Sequence, residues 1–317
     1  MTGAPPVAPW HAGPWERLGQ LVEAGRLPHA LLLDGPRGWG KRFLARQFAR
    51  RLLGLVPADP EGFAWGEESA DADLLTHPDA RIVQRTPTRD GARLRQQITV
   101  DQVRELGEFL VRTAGQGGAR VVVLELAEEL NANAANALLK RLEEPGSRTH
   151  LLLVTHEASR VLATIRSRCQ RVPLAPGSRE AAERWIAGRV DPGADARALL
   201  ELAGDAPLRA LQLAEEDAVA LDREVGSVLG GADPAPLVHG APRLDAGAQR
   251  ERAALVLELA YRRLVRRARD EAGADPLVHR QLERVLQARR ALESTANPNP
   301  ALLLEDVLLG LRPRRNR

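Results

Sequence analysis

Gly35-Pro-Arg-Gly-Trp-Gly-Lys-Arg42 decides how this chain is read. It nearly fits the phosphate-binding pattern G-x-x-x-x-G-K-[ST], and its surroundings fit as well. Ala30-Leu-Leu-Leu-Asp34 before it is an apolar run of strand length. Lys41 to Leu55 after it carries Leu44, Phe48 and Leu52 at four-residue spacing, one apolar face of a helix. In such a loop Gly35 and Gly40 let the backbone turn its N–H groups inward. The helix N-terminus adds positive potential, and Lys41 reaches the β- and γ-phosphates. Gly35, Gly38, Gly40 and Lys41 are therefore the candidate phosphate-binding residues. A plain glycine-rich turn with a solvated lysine is the competing reading, and the strand before and helix after favour the phosphate loop.

The last position of the pattern fails. Where Ser or Thr would bind Mg²⁺ through its hydroxyl, the chain has Arg42, which cannot coordinate a cation. A second apolar run, Val121-Val-Val-Leu124, suits a strand buried on both faces. It leads into Glu125-Leu126, where a P-loop ATPase needs two acids to hold the metal and activate water. Glu125 stands where the metal-side acid belongs; Leu126 cannot polarise water. Two independent defects point to lost hydrolysis and leave phosphate binding without turnover open.

Working outward, Arg81 to Gln84, Leu151 to Val154 and Val172 to Leu174 read as further strands. Val100 to Val111 and Ala127 to Glu144, the latter stopped by Pro145, read as helices. Strand and helix in alternation imply a parallel sheet covered on both sides. Val56 to Leu75, rich in Asp, Glu, Gly and Pro, reads as a surface insertion. After Pro176 the strands stop. Arg179 to Arg189, Ala194 to Ala203 and Pro207 to Asp217 read as short helices, and Gly230 to Gly247 as a linker. Gln249 to Asp270, Leu277 to Leu292 and Pro300 to Leu311 are strongly helical.

Composition excludes several classes. A chain of 317 residues accommodates two or three domains. Its one cysteine, Cys169, rules out a disulfide framework and a four-thiolate zinc site within the chain. No apolar segment approaches the ~20 residues of a bilayer span, and no signal peptide is visible, so a cytoplasmic protein is expected. Net charge is +3 and aromatics make up 3 %, which does not mark a nucleic-acid binder. Lys41 and Lys140 are the only lysines among 45 basic residues. Tyr261 to Arg269 and the tail Arg312 to Arg317 are arginine-rich; a solvated face and a frayed end are preferred there over a DNA-binding module.

Three segments in order carry a resemblance. Leu27-Pro-His-Ala-Leu-Leu-Leu-Asp-Gly-Pro36 is similar to the approach to the P-loop in bacterial clamp-loader subunits. Asn136-Ala-Leu-Leu-Lys-Arg-Leu-Glu-Glu-Pro145 resembles the helix after their acidic strand, and Ile165-Arg-Ser-Arg-Cys169 contains their Ser-Arg-Cys motif. Trp10 to Leu18, Thr76-His-Pro-Asp79, Leu202 to Leu211 and Asn299 to Asp306 extend the likeness, while about 218–248 matches nothing in it. The delta-prime branch is the nearer match. The motor branch, called gamma or tau, keeps the Ser or Thr and the acidic pair. Relatives in both branches commonly carry a cysteine-rich zinc module where this chain has the cysteine-free Leu53 to His77.

The resemblance implies an α/β P-loop (AAA+) parallel-sheet domain at 1–173. A small helical lid would follow at 174–218 and an all-α collar at 219–317. It implies a scaffold subunit that does not hydrolyse ATP, holds no zinc, and sits with motor and delta subunits, the sliding clamp and primer–template DNA. By its motif Arg168 is the candidate arginine finger for a neighbour's ATP, and Thr155 and Arg209 occupy the sensor positions. Pairing of Arg168 with a local carboxylate is the plainer alternative for that residue. An active motor-type ATPase is the alternative for the chain.

Overall fold

The computed structural model describes residues 7–56, 72–87, 95, 97–111, 118–239, 246–270, 275–293 and 298–312. Most of the expected insertion (57–71), part of the expected linker (240–245) and the arginine tail (313–317) lie outside the described residues.

Five strands form one parallel sheet: β1 (Ala30–Asp34), β2 (Ala80–Val83), β3 (Arg120–Leu124), β4 (Thr149–Thr155) and β5 (Gln170–Pro173). Their order is β2-β3-β4-β1-β5, so the first strand lies inside the sheet between β4 and β5, and the connection from β4 to β5 crosses it. α1 (Ala12–Glu23) precedes the sheet, and α2 (Lys41–Leu53), α3 (Ala72–Thr76), α4 (Val100–Val111), α5 (Ala132–Glu143) and α6 (Ala163–Arg166) lie between its strands.

Alternation along the strands makes two cores. Leu31, Leu33, Val121, Val123, Leu152 and Val154 pack on one face with Leu44 and Phe48 of α2 and Leu18 of α1. Leu32, Val122, Leu124, Leu151 and Leu153 pack on the other with Leu106 of α4 and Leu138 of α5. β1, β3 and β4 each feed both faces, which is why these runs are apolar throughout rather than alternating with polar residues.

Three sequence expectations are corrected here. The helix expected from Ala127 to Glu144 is two elements. Ala127–Glu129 is a 3₁₀ turn, Leu130 is extended, and α5 starts only after Asn131, whose side chain accepts from the Ala134 amide. That cap satisfies an amide a continuous helix would have used otherwise. The expected insertion contains α3, which places Leu74 in the core. The expected linker contains a helix, Ala235–His239.

The chain divides into two compact units, Met1–Trp185 with Ala206–Leu208, and Ile186–Asp205 with Arg209–Arg317. Among the described residues eight helices follow the sheet: α7 (Arg179–Ala187), α8 (Ala196–Leu202), α9 (Pro207–Glu215), α10 (Ala218–Leu229), α11 (Ala235–His239), α12 (Ala246–Asp270), α13 (Pro276–Glu293) and α14 (Pro300–Leu311). In the second unit α12 packs on α10, α13 and α14 around Val256, Leu257, Ala260, Leu264, Val285 and Leu308. The arginine-rich stretch of α12 is largely used internally. Arg262 holds Glu258 and the Leu202 carbonyl, Arg263 makes a two-pronged contact with Asp222, and Arg266 meets Glu201. Among the described residues no helix is long and apolar enough to cross a membrane.

Candidate functional site: a phosphate loop with its metal position filled by arginine

All five strands run the same way, so the carboxyl ends of β1, β3 and β4 share one edge, where open α/β sheets place their ligands. The loop Gly35–Gly40 leaves β1 there and enters α2. Gly38 and Gly40 have φ of +74° and +82°, conformations that favour glycine. Gly35 is required for a different reason from the one its position in the pattern suggests. A Cβ on it would lie 2.2 Å from the Leu174 carbonyl oxygen, so it permits close approach rather than an unusual turn. Gly38 also receives a neighbour: its carbonyl accepts from the Leu208 amide at 3.0 Å. Trp39 is anchored by Trp10, whose Nε1–H donates to the Trp39 carbonyl at 2.8 Å. Trp10 meets the rings of Trp39 and Trp185 edge-on at 5.2 and 5.3 Å.

Lys41 is buried, and its Nζ donates to the Pro36 carbonyl at 2.5 Å. Burial pulls its pKa down to about 8, with Glu128 and Asp34 opposing that shift and Arg37 adding to it. Two histidines lie within electrostatic reach. His11 and His156 are both lowered to about 4, first by burial and then by the Lys41 charge, so both are neutral at neutral pH. Thr155 ends β4 directly opposite Asp34 in the register; it is fully buried, and its hydroxyl accepts from the Glu157 amide.

The metal side of the site is rebuilt. Glu125 is buried at the end of β3, and both of its oxygens face arginine. Arg42 Nη2 lies 2.5 Å from Oε2, and Arg46 Nη2 lies 2.7 Å from Oε1, with Arg46 Nε donating to the same oxygen at 2.8 Å. Arg42 and Arg46 are four residues apart on α2 and therefore share a face. The carboxylate that would bind Mg²⁺ is thus paired with two guanidinium groups. Leu126 beside it adopts φ +61°, the left-handed region that bulky residues avoid.

Sequence reading missed three members of this cluster. The i, i+4 spacing of Arg42 and Arg46 was visible, but nothing local tied them to Glu125. Glu128, which accepts the His156 amide at 3.0 Å, was one acid among several. Asp34 is held by Arg171 of β5, Nε to Oδ2 at 2.9 Å, a pairing visible only once β5 is known to flank β1.

Of the other two candidates, Arg168 lies away from this cluster. Arg168 precedes β5 and so sits at the amino edge of the sheet, as does Glu143, which precedes β4. Arg168 Nη2 is 2.6 Å from Glu143 Oε1, and Nη1 donates to the Thr164 carbonyl at 3.0 Å. Arg209 belongs to the second unit, where it pairs with Glu258 at 3.2 Å and Glu216 at 3.7 Å.

A β1 flanked by strands on both sides and followed by a glycine-rich loop and helix, with an acidic residue directly after β3, defines a P-loop domain of the AAA+ type. The chain belongs to the family described as DNA polymerase III, delta subunit, which matches residues 10–178. It is 44 % identical over 213 residues to the DNA polymerase III subunit delta' of Pseudomonas aeruginosa, covering 65 % of this chain and 61 % of that one. With the protein of the same name from Escherichia coli it shares 38 % over 210 residues, covering 66 % and 61 %. The matched segments thus span about three fifths of these relatives. In fold, a DNA polymerase III gamma subunit-related protein from Thermotoga maritima aligns with a TM-score of 0.54 at 17 % identity, over 95 % of this chain and 99 % of that one.

Proposed function

We propose that this chain is a delta-prime-type clamp-loader subunit that does not hydrolyse ATP and that lends Arg168 to ATP held by a neighbouring motor subunit, gamma or tau. The observation that carries the first half is the Arg42–Glu125–Arg46 cluster. A carboxylate already neutralised by two fixed cations has neither the charge nor the open coordination that a hydrated Mg²⁺ needs. With Leu126 unable to orient water, the loop keeps its shape without its chemistry.

Sheet polarity supports the second half. Arg168 and the phosphate loop lie at opposite edges, separated by the length of the five-residue β1, roughly 13 Å at ~3.3 Å per residue. Arg168 therefore cannot serve a nucleotide on its own loop, whereas an arginine supplied to another subunit is worth ~10³–10⁵ in rate. In this reading Thr155 and Arg209 are retained sensor positions, and no nucleotide is turned over and no zinc is held. Residues 174–218 act as a lid and 219–317 as a collar joining motor and delta subunits. The clamp and primer–template DNA are reached through that assembly in the cytoplasm.

Two measurements test the proposal. The isolated chain binds labelled ATP no better with Mg²⁺ than without and does not hydrolyse it; hydrolysis abolished by Lys41→Ala would establish an active motor-type subunit instead. In the reconstituted complex Arg168→Ala lowers ATP turnover while assembly, followed by size exclusion, stays intact.

A further inference from the structure

We infer that Glu143 is a positioning residue for Arg168; the inference rests on Arg168 acting at a neighbour's nucleotide. Glu143 is the last residue of α5 and Glu144 caps it. Two carboxylates at this end oppose the helix dipole, whose negative pole lies there. Lys140 and Arg141 in the last turn suit that pole; Glu143 and Glu144 do not. A residue that breaks a local rule is explained by what it holds, and Glu143 holds Arg168 at 2.6 Å.

The hold is partial in an informative way. A guanidinium has five N–H groups. In Arg168 one Nη2–H goes to Glu143, and the two Nη1 hydrogens go to the Thr164 carbonyl at 3.0 Å and, more weakly, the Ser167 hydroxyl at 3.5 Å. Nε–H and the second Nη2–H have no partner among the described residues. The group is thus oriented by its own turn on one side and by Glu143 on the other, while two donors stay uncommitted and the side chain stays about one third exposed. A long arginine chain loses much rotamer freedom when it engages a phosphate. Fixing it beforehand removes part of that loss from the reacting state, as with other preorganised groups. Both partners are solvent-accessible, so the ion pair itself contributes little to folding. Positioning, not stability, is what Glu143 supplies.

The test is steady-state ATP hydrolysis by the complex reconstituted from this chain and its motor-type partners, with kcat and KM measured separately. Glu143→Gln lowers kcat about tenfold with KM and the melting temperature of the isolated chain unchanged. Glu143→Asp recovers part of the loss, and Glu143→Gln adds nothing once Arg168→Ala is present. If Arg168→Ala depresses turnover but Glu143→Gln leaves it unchanged or raises it, the positioning role is wrong and the finger survives. An equal loss from Glu143→Gln in the Arg168→Ala background would show that Glu143 acts elsewhere. If Arg168→Ala itself has no effect, the finger reading fails and the role of Glu143 fails with it.

Discussion

Arg42 Nη2 rests 2.5 Å from Oε2 of Glu125, and this contact puts a protein cation where a P-loop ATPase keeps its metal. Arg46 takes the other carboxylate oxygen. The substitution visible at one position of the loop is therefore half of a cluster that spans two elements, α2 and the end of β3.

Restoring the hydroxyl alone does not restore the metal. In Arg42→Thr, Glu125 remains paired with Arg46 and Leu126 still lacks a carboxylate. Titration of the variant with labelled ATP gives the same affinity with and without Mg²⁺, and no hydrolysis. A Mg²⁺-dependent gain of about tenfold, ~1.4 kcal/mol, would contradict this account.

Arg46→Ala destabilises the first unit. Glu125 is 1 % exposed, and removing one partner of a buried ion pair costs about 3–5 kcal/mol. The low end, about 3 kcal/mol, applies because Arg42 remains. Urea unfolding followed by circular dichroism reports the change, and an unshifted midpoint would mean that Arg46 is dispensable.

Acid weakens the fold through His11. This ring is fully buried, and its pKa falls from 6.5 to about 4. Between those values the unfolded chain binds a proton that the folded chain refuses. Stability is therefore complete above pH 6.5 and declines as pH falls toward 4, by on the order of 2 kcal/mol at pH 5. His11→Leu removes that share of the slope and leaves the share of His156, which is lowered to about 4 as well. Urea midpoints at pH 7 and pH 5 for both chains measure it; parallel declines would remove His11 as the cause.

Lys41→Met raises the melting temperature at pH 7. Burial lowers the lysine pKa to about 8, the sign of a charge held at a cost in the folded state. Methionine keeps the apolar stem and discards the charge, at the loss of one hydrogen bond to Pro36. A lower melting temperature would mean that this bond outweighs the burial of the ammonium.

The sheet and the loop were legible because they rest on local pattern. Leu44 and Phe48 at helical spacing, Val121 to Leu124 as an unbroken apolar run and Gly35 to Lys41 as a motif each carry their meaning within a dozen residues. The start of α5 is legible too, in Asn131, a residue type that caps helices. What could not be read is the pairing across the sheet edge. Arg46 with Glu125 and Asp34 with Arg171 join residues 79 and 137 apart in the chain, and only the strand order brings them together. Gly35 shows the same limit: its motif position was plain, but its physical reason lies in Leu174 of a strand end far along the chain.

The triad at Glu125 also makes the loss of the metal site a one-way step in evolution. Reverting Arg42 gains nothing while Arg46 stays, reverting Arg46 first leaves the buried acid with Arg42 alone, and an acid at Leu126 has no metal to serve until both have gone. No single substitution along the way back is rewarded. Under the proposed reading, the three residues hold the site closed together rather than singly.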